Sequence, residues 1–244
     1  MKLFQRAAVM ALAVAATLMA VPAISAVPQD DVSQKIRIGV IGSGSLGGSV
    51  GRAWVKSGHE VMFSSRNPDE LRAMAKALGP LATVGTPKEA AAFGEVVLTA
   101  LPYSALSSVG RDLQSELRGK IVIDASNPTR WSDGELYSQA MRDGVGATSA
   151  RLLPGTRLVR GFSAVNATAI AASSEGRRTT VAVPIASDDT AALEVVSQLV
   201  RDAGSAPVIT GDLASSRVFE DGTSIDEADT DEATLRSMLK LPQP

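Results

Sequence analysis

The sequence predicts an α/β fold: a doubly wound parallel sheet with a short C-terminal arm. Three observations predict it. An apolar run, Lys35-Ile36-Arg37-Ile38-Gly39-Val40-Ile41, leads straight into Gly42-Ser43-Gly44-Ser45-Leu46-Gly47, and a helical pattern follows from Gly48 to Lys56. Short apolar runs then alternate with helical stretches along the chain, the order that builds a parallel sheet with helices on both faces. One run, Glu95 to Ala100, is nearly continuously apolar, as a strand covered on both sides must be.

The remaining elements follow in order. His59 to Phe63 is a second strand, ending in Ser64-Ser65-Arg66-Asn67-Pro68. Pro68 to Leu78 reads as a helix stopped by Gly79-Pro80. Leu81 to Val84 is a third strand, and Thr86-Pro87 opens a short helix to Phe93, with proline at its first position. After the fourth strand, Leu101-Pro102-Tyr103 breaks the run and Ser104 to Leu117 resumes a helix. Lys120 to Ala125, Leu158 to Phe162, Thr179 to Ile185 and Pro207 to Thr210 are further strands, with a helix from Asp188 to Asp202 between the last two.

The glycine loop, between a strand and a helix, reads as the phosphate grip of a Rossmann-type dinucleotide site. Gly42 permits the tight turn, Gly44 lets the backbone approach a pyrophosphate, and Gly47 lets the helix lie close to the strand. The first N–H groups of that helix, including those of Ser45 and Leu46, point at the phosphate with the helix dipole behind them. The end of the second strand selects the dinucleotide. An NAD site usually places Asp or Glu there for the ribose 2′-hydroxyl. This chain has Ser64, Ser65 and Arg66, with no acid before Asp69. Hydroxyls and a guanidinium suit a 2′-phosphate, and Ser43 adds another donor. NADP(H) is expected over NAD(H).

Ligands of such sheets lie beyond the carboxyl ends of the strands, where the strand order reverses. That rule selects Leu101-Pro102-Tyr103, Ala125-Ser126-Asn127-Pro128 and Ser163-Ala164-Val165-Asn166.

Composition narrows the chemistry. The 244 residues carry a net charge of −2, no cysteine and one histidine, His59. Nothing suggests nucleic acid as a partner. Thiolate nucleophiles, disulfides and cysteine or multi-histidine metal sites are excluded. His59 reads as a structural turn residue. Residues 1–26 have a positive start (Lys2, Arg6), an apolar run from Ala7 to Val21 and small residues at Ala23 and Ala26. This is the pattern of a Sec-type signal peptide and implies export to a periplasm or the exterior. The run is short for a membrane span; left uncleaved, it would anchor the chain. Residues 27–34 are a linker, 35–213 the dinucleotide domain and 214–244 the arm. The acids of the arm (Asp226, Glu227, Asp229, Asp231, Glu232) suggest a solvated, loosely ordered segment with a last helix from Asp231 to Leu239.

The motifs together resemble the NADPH-dependent reductases of the deazaflavin coenzyme F420 and the related reductase domain of the STEAP metalloreductases. Ile38 to Gly47, Gly58-His59-Glu60-Val61, Ser64 to Pro68, Leu101-Pro102, Asp124 to Pro128, Leu152 to Gly155 and Val159 to Phe162 carry the resemblance. It implies hydride transfer between NADPH and a small-molecule acceptor, coenzyme F420 or a flavin, with no protein acid or base required. It implies that Gly42 to Gly47 hold the pyrophosphate and that Ser64, Ser65 and Arg66 hold the 2′-phosphate. Pro102, Asn127, Pro128 and Asn166 would frame the nicotinamide, and Tyr103 would lay its ring on the cofactor. It carries the expectation of a homodimer. Family members usually place Asn-Thr after the phenylalanine of the sixth strand, where this chain has Ser163-Ala164. Two alternatives stay open: a non-catalytic exported NADP-binding or sensing protein, and an imine or pyrroline-carboxylate reductase.

Overall fold

The computed structural model describes residues 35–243; the leader and linker read in residues 1–34 lie outside the described residues. The strands are β1 (Arg37–Ile41), β2 (Glu60–Ser64), β3 (Ala82–Gly85), β4 (Val96–Thr99), β5 (Ile121–Asp124), β6 (Arg157–Gly161), β7 (Ala182–Ala186) and β8 (Ala206–Gly211). The helices are α1 (Ser45–Lys56), α2 (Arg72–Leu78), α3 (Pro87–Phe93), α4 (Leu106–Asp112), α5 (Gln114–Leu117), α6 (Arg130–Asp143), α7 (Val145–Leu152), α8 (Ala167–Ser174), α9 (Thr190–Asp202) and α10 (Glu232–Met238).

One sheet holds all eight strands in the order β3-β2-β1-β4-β5-β6-β7-β8. The doubly wound expectation is met: the order reverses between β1 and β4, so their carboxyl ends diverge and leave a crevice. Every residue of β4 and β5 is buried, because helices cover both faces. On one face Trp54 of α1 meets Phe162 edge-on, with ring centroids 5.9 Å apart, and its indole N–H donates to Leu199 O at 2.7 Å. On the other face Tyr103, Leu106, Leu117 and Val145 close over Ile41, Val97 and Val122.

Two features depart from expectation. The sheet is not wholly parallel, since β7 runs antiparallel to β6 while β8 runs parallel to β7. The chain leaves β6 through α8 and re-enters at the edge it left. A strand buried on both faces carries the same apolar pattern in either direction, so sequence did not reveal this.

The acidic C-terminal segment is not a loose, solvated arm. Phe219, Ile225 and Leu235 are buried against Ala164, Ala182 and Val208. Ala182 N donates to Thr230 O at 2.8 Å and Glu227 N to Ala164 O at 3.0 Å. One of its acids is a local cap: the Asp231 side chain accepts from Thr234 N at the start of α10, close to where the last helix was expected.

Candidate functional site

At the reversal of strand order lies a cleft of about 720 Å³, lined by Gly42 to Gly44, Ser65 and Arg66, Leu101 and Pro102, and the inner face of α4. That volume suits a small-molecule ligand.

The glycine loop is shaped by three different demands. Gly42 has φ of 97°, and a Cβ there would lie 2.3 Å from Ala100 O. A Cβ on Gly47 would lie 2.2 Å from Gly42 O. The fold itself requires these two glycines. Gly44 differs. Its φ is −73°, a value ordinary residues adopt, and a Cβ there would have no protein atom within 4 Å. Nothing in the fold demands glycine at this position. A Cβ there would instead project into open space beside the exposed N-terminus of α1.

Gly44 is the N-cap of α1, where no side chain caps the helix and no acid occupies the first turn. The N-termini of α3, α6, α9 and α10, by contrast, are each closed by a side chain. Ser45, Leu46 and Gly47 form the open first turn, so the helix dipole faces the cleft unneutralised. The residues present fit a bound pyrophosphate.

The end of β2 divides its two serines. Ser65 is half-buried beside exposed Arg66. Arg66 forms no ion pair among the described residues; the next acids are engaged elsewhere, Asp69 with Arg72 at 2.7 Å and Glu70 with Asn67 at 2.7 Å. Ser64 departs from its expected role. It is fully buried and its hydroxyl donates to Val40 O at 2.8 Å. Its backbone braces the loop instead: Ser64 O accepts from Gly42 N and Ser43 N, and Ser64 N donates to Ser43 Oγ at 3.1 Å. As an acceptor in that bond, the Ser43 hydroxyl keeps its proton for another partner.

Tyr103 is also corrected. It has no exposed surface, and its hydroxyl lies 3.3 Å from Val145 O and 3.2 Å from Ser149 Oγ. Burial pushes the phenol up to about 12. The ring belongs to the core and meets neither cofactor nor substrate.

Asn127, Pro128 and Asn166 stand at the carboxyl ends of β5 and β6, beyond the lining of the cleft. Each asparagine is held by charges that sequence reading missed. Arg160, fully buried, reaches up β6 to Asp124 Oδ2 at 2.7 Å, Ser126 O at 2.7 Å and Asn127 Oδ1 at 2.9 Å. Asn127 Nδ2 then donates to Ser163 O at 2.7 Å. Phe162, at φ of 62°, turns the chain between these partners. Asn166 donates through its backbone N and its Nδ2 to the two oxygens of Asp229, at 2.9 and 2.8 Å. Arg160 and Asp124 are visible in the sequence as charges in apolar strands, but their pairing needs the β5–β6 register, which sets them side by side.

His59 lies away from the cleft. Its Nδ1 accepts from Ile36 N at 3.2 Å and its Nε2 contacts Asp202 at 2.8 Å, a structural clasp as expected.

With this geometry in view, residues 37–128 match the family described as NADP oxidoreductase, coenzyme F420-dependent. Metalloreductase STEAP3 of Rattus norvegicus is 33% identical over 188 residues, which cover 75% of this chain and 36% of the relative. The chain thus spans about a third of that relative's length. Among solved structures, the hypothetical protein SMa0349 from Sinorhizobium meliloti superposes with a TM-score of 0.67 at 22% identity, covering 82% of this chain and 97% of its own. A protein assigned as an F420-dependent NADP reductase from Arthrobacter sp. FB24 gives 0.62 at 25% identity, over 75% and 87% of the two chains. These matches liken the chain to NADP-dependent oxidoreductases.

Proposed function

We propose that this chain binds NADPH across the carboxyl ends of β1, β2 and β4 and delivers its hydride to a flavin- or deazaflavin-type ring. Gly44 carries the reading, because it is a glycine that the protein's own packing does not require. The absence of an acid at the end of β2, with Arg66 in no ion pair among the described residues, supports NADPH over NADH.

The cofactor supplies the hydride, and the chain binds and orients. The open N-terminus of α1 meets the pyrophosphate, while Ser43, Ser65 and Arg66 meet the 2′-phosphate. Asn127 and its braces frame the nicotinamide end. No protein acid or base is assigned. Tyr103 and His59 are committed to the core, and hydride transfer between two rings needs positioning more than proton transfer. The leader pattern in residues 1–26 supports export of this activity, which cell fractionation tests directly.

Replacing Gly44 by Ala tests the reading, since the new methyl meets no protein atom. The variant is expected to melt with the wild-type protein, to bind NADPH at least tenfold more weakly, and to lose NADPH oxidation with riboflavin, FMN and deazaflavin acceptors. Unchanged NADPH affinity in Gly44→Ala defeats the site. Tight NADPH binding by the wild type with no turnover of any acceptor, cyclic imines and ferric chelates included, favours the non-catalytic binding protein.

A further inference from the structure

Trp131 is 94% exposed, whereas the other exposed large apolar side chains, Val195, Ile209, Val218 and Met238, show 37–46%. It sits in the first turn of α6, four residues after Asn127. Loose ends of chain often expose an apolar residue; this turn is not loose. Asp133 is 7% exposed and fastens it on two sides, accepting from Thr129 N at 2.6 Å and from Ser104 N at 2.9 Å. Ser104 lines the dinucleotide cleft. Burial pushes the Asp133 carboxyl up, but hydrogen bonds from Thr129, Ser132 and Ser104 outweigh it and keep the group ionised. Directly after Asp133, Gly134 leaves the helical conformation at φ of 51°. The turn therefore stands as a separate projection, tied to the loops after β4 and β5, with the indole in solvent.

The residue before Trp131 in the same turn is Arg130. Its guanidinium lies over the Tyr137 ring at 5.7 Å and forms no ion pair among the described residues. An exposed electron-rich ring on a pinned turn, with a cation that no carboxylate among the described residues neutralises in the same turn, complements one class of ligand: a planar, electron-poor heteroaromatic ring with an anionic tail.

We propose that Trp131 is the platform on which the hydride acceptor stacks, with Arg130 meeting the acceptor's phosphate. The inference rests on the acceptor reading above and narrows it to phosphorylated rings. In the balanced reaction, one hydride passes from NADPH and one proton comes from solvent. NADPH becomes NADP⁺ and the ring gains two electrons.

Fluorescence and kinetics of the full-length protein test this, with FMN and riboflavin as probes. The difference between wild type and Trp131→Ala isolates the exposed indole from buried Trp54. FMN is expected to quench that signal saturably. Trp131→Ala is expected to raise the KM for FMN about tenfold, with NADPH affinity and ferric chelate turnover unchanged, and Trp131→Phe to restore most of it. Arg130→Ala is expected to raise the KM for FMN and leave that for riboflavin unchanged. An FMN KM unaltered in Trp131→Ala overturns the platform while leaving the acceptor reading intact. If the wild type reduces no ring, the acceptor reading fails; the FMN titration then still decides, because absence of quenching overturns the platform as well. Shielding of Trp131 from acrylamide with rising protein concentration, together with loss of a dimer in Trp131→Ala, assigns the residue to a contact between copies and also overturns it.

Discussion

Arg160 and Asp124 face each other from neighbouring strands, Nη1 to Oδ2 at 2.7 Å, and neither has any exposed surface. A buried pair of this kind is costly to break from one side, because the remaining charge has no water to turn to.

Arg160→Met is therefore expected to lose about 3–5 kcal/mol of stability in urea unfolding. Adding Asp124→Leu should recover part of that loss, since the orphaned carboxylate goes with it. Strictly additive losses for the two changes would show that the pair is not coupled. Arg160→Lys keeps the charge but not the fork that reaches both Asp124 and Asn127. It should retain more stability than the methionine variant while reducing NADPH turnover.

The two serines at the end of β2 should separate in their effects. Ser64→Ala removes a buried bond to Val40 O and is expected to cost about 1 kcal/mol of stability, with the ratio of NADPH to NADH affinity unchanged. Arg66→Ala is expected to weaken NADPH by about 1.5–3 kcal/mol and to leave NADH nearly as it was. Ser65→Ala should follow Arg66→Ala in kind. Dissociation constants for both cofactors across the three variants check the division, and equal losses of NADPH and NADH in Arg66→Ala would remove its assigned role.

Asp189 caps α9 and takes a two-pronged bond from Arg157, at 2.6 and 3.0 Å. That bond holds its carboxyl down at about 2, below the value of about 3.9 expected in the unfolded chain. The ionised form is favoured by folding, so its contribution is complete above about pH 4 and is lost as pH falls towards 2. In Asp189→Asn, stability measured by urea should be lower at pH 7 and should fall less steeply than the wild type between pH 4 and 2. Parallel acid limbs for the two proteins would contradict the assignment.

Asp229→Ala removes both acceptors of Asn166. Faster amide exchange is expected in residues 163–170, at a stability cost of about 1–3 kcal/mol. Asp229→Asn keeps one acceptor and tolerates the positive φ of 45° at this position, so it should fall between. Unchanged exchange in Asp229→Ala would mean that the loop is held by other contacts.

What the sequence disclosed, and what it concealed, divides by physical range. The glycine loop, the strand before it and Arg66 were legible because each depends on residues a few positions apart. So were the eight strands, as apolar runs between turns. The inward course of Ser64 and Tyr103 was not. Both faces of this sheet are covered, so alternation says nothing about which way Ser64 points, and the direction of Tyr103 is set by the short helical turn Tyr103–Ala105. Helices α6, α7 and α8 also escaped notice. Gly134 interrupts the first, and the third is built from small residues with no polar face. Asp229 looked like one more solvated acid; its role depends on Phe219, Ile225 and Leu235 drawing the segment onto the sheet.

The bond between Asn166 and Asp229 joins residues 63 positions apart, and this gives the molecule an order of assembly. During synthesis the glycine loop and its two flanking strands emerge together and can settle early. The turn after β6 has to wait for a partner not yet made, for several seconds at about 5–20 residues per second. A nascent chain halted before Asp229 would hold the glycine loop without a fastened turn after β6. A segment made 63 residues later is thus the latch that fixes the turn after β6.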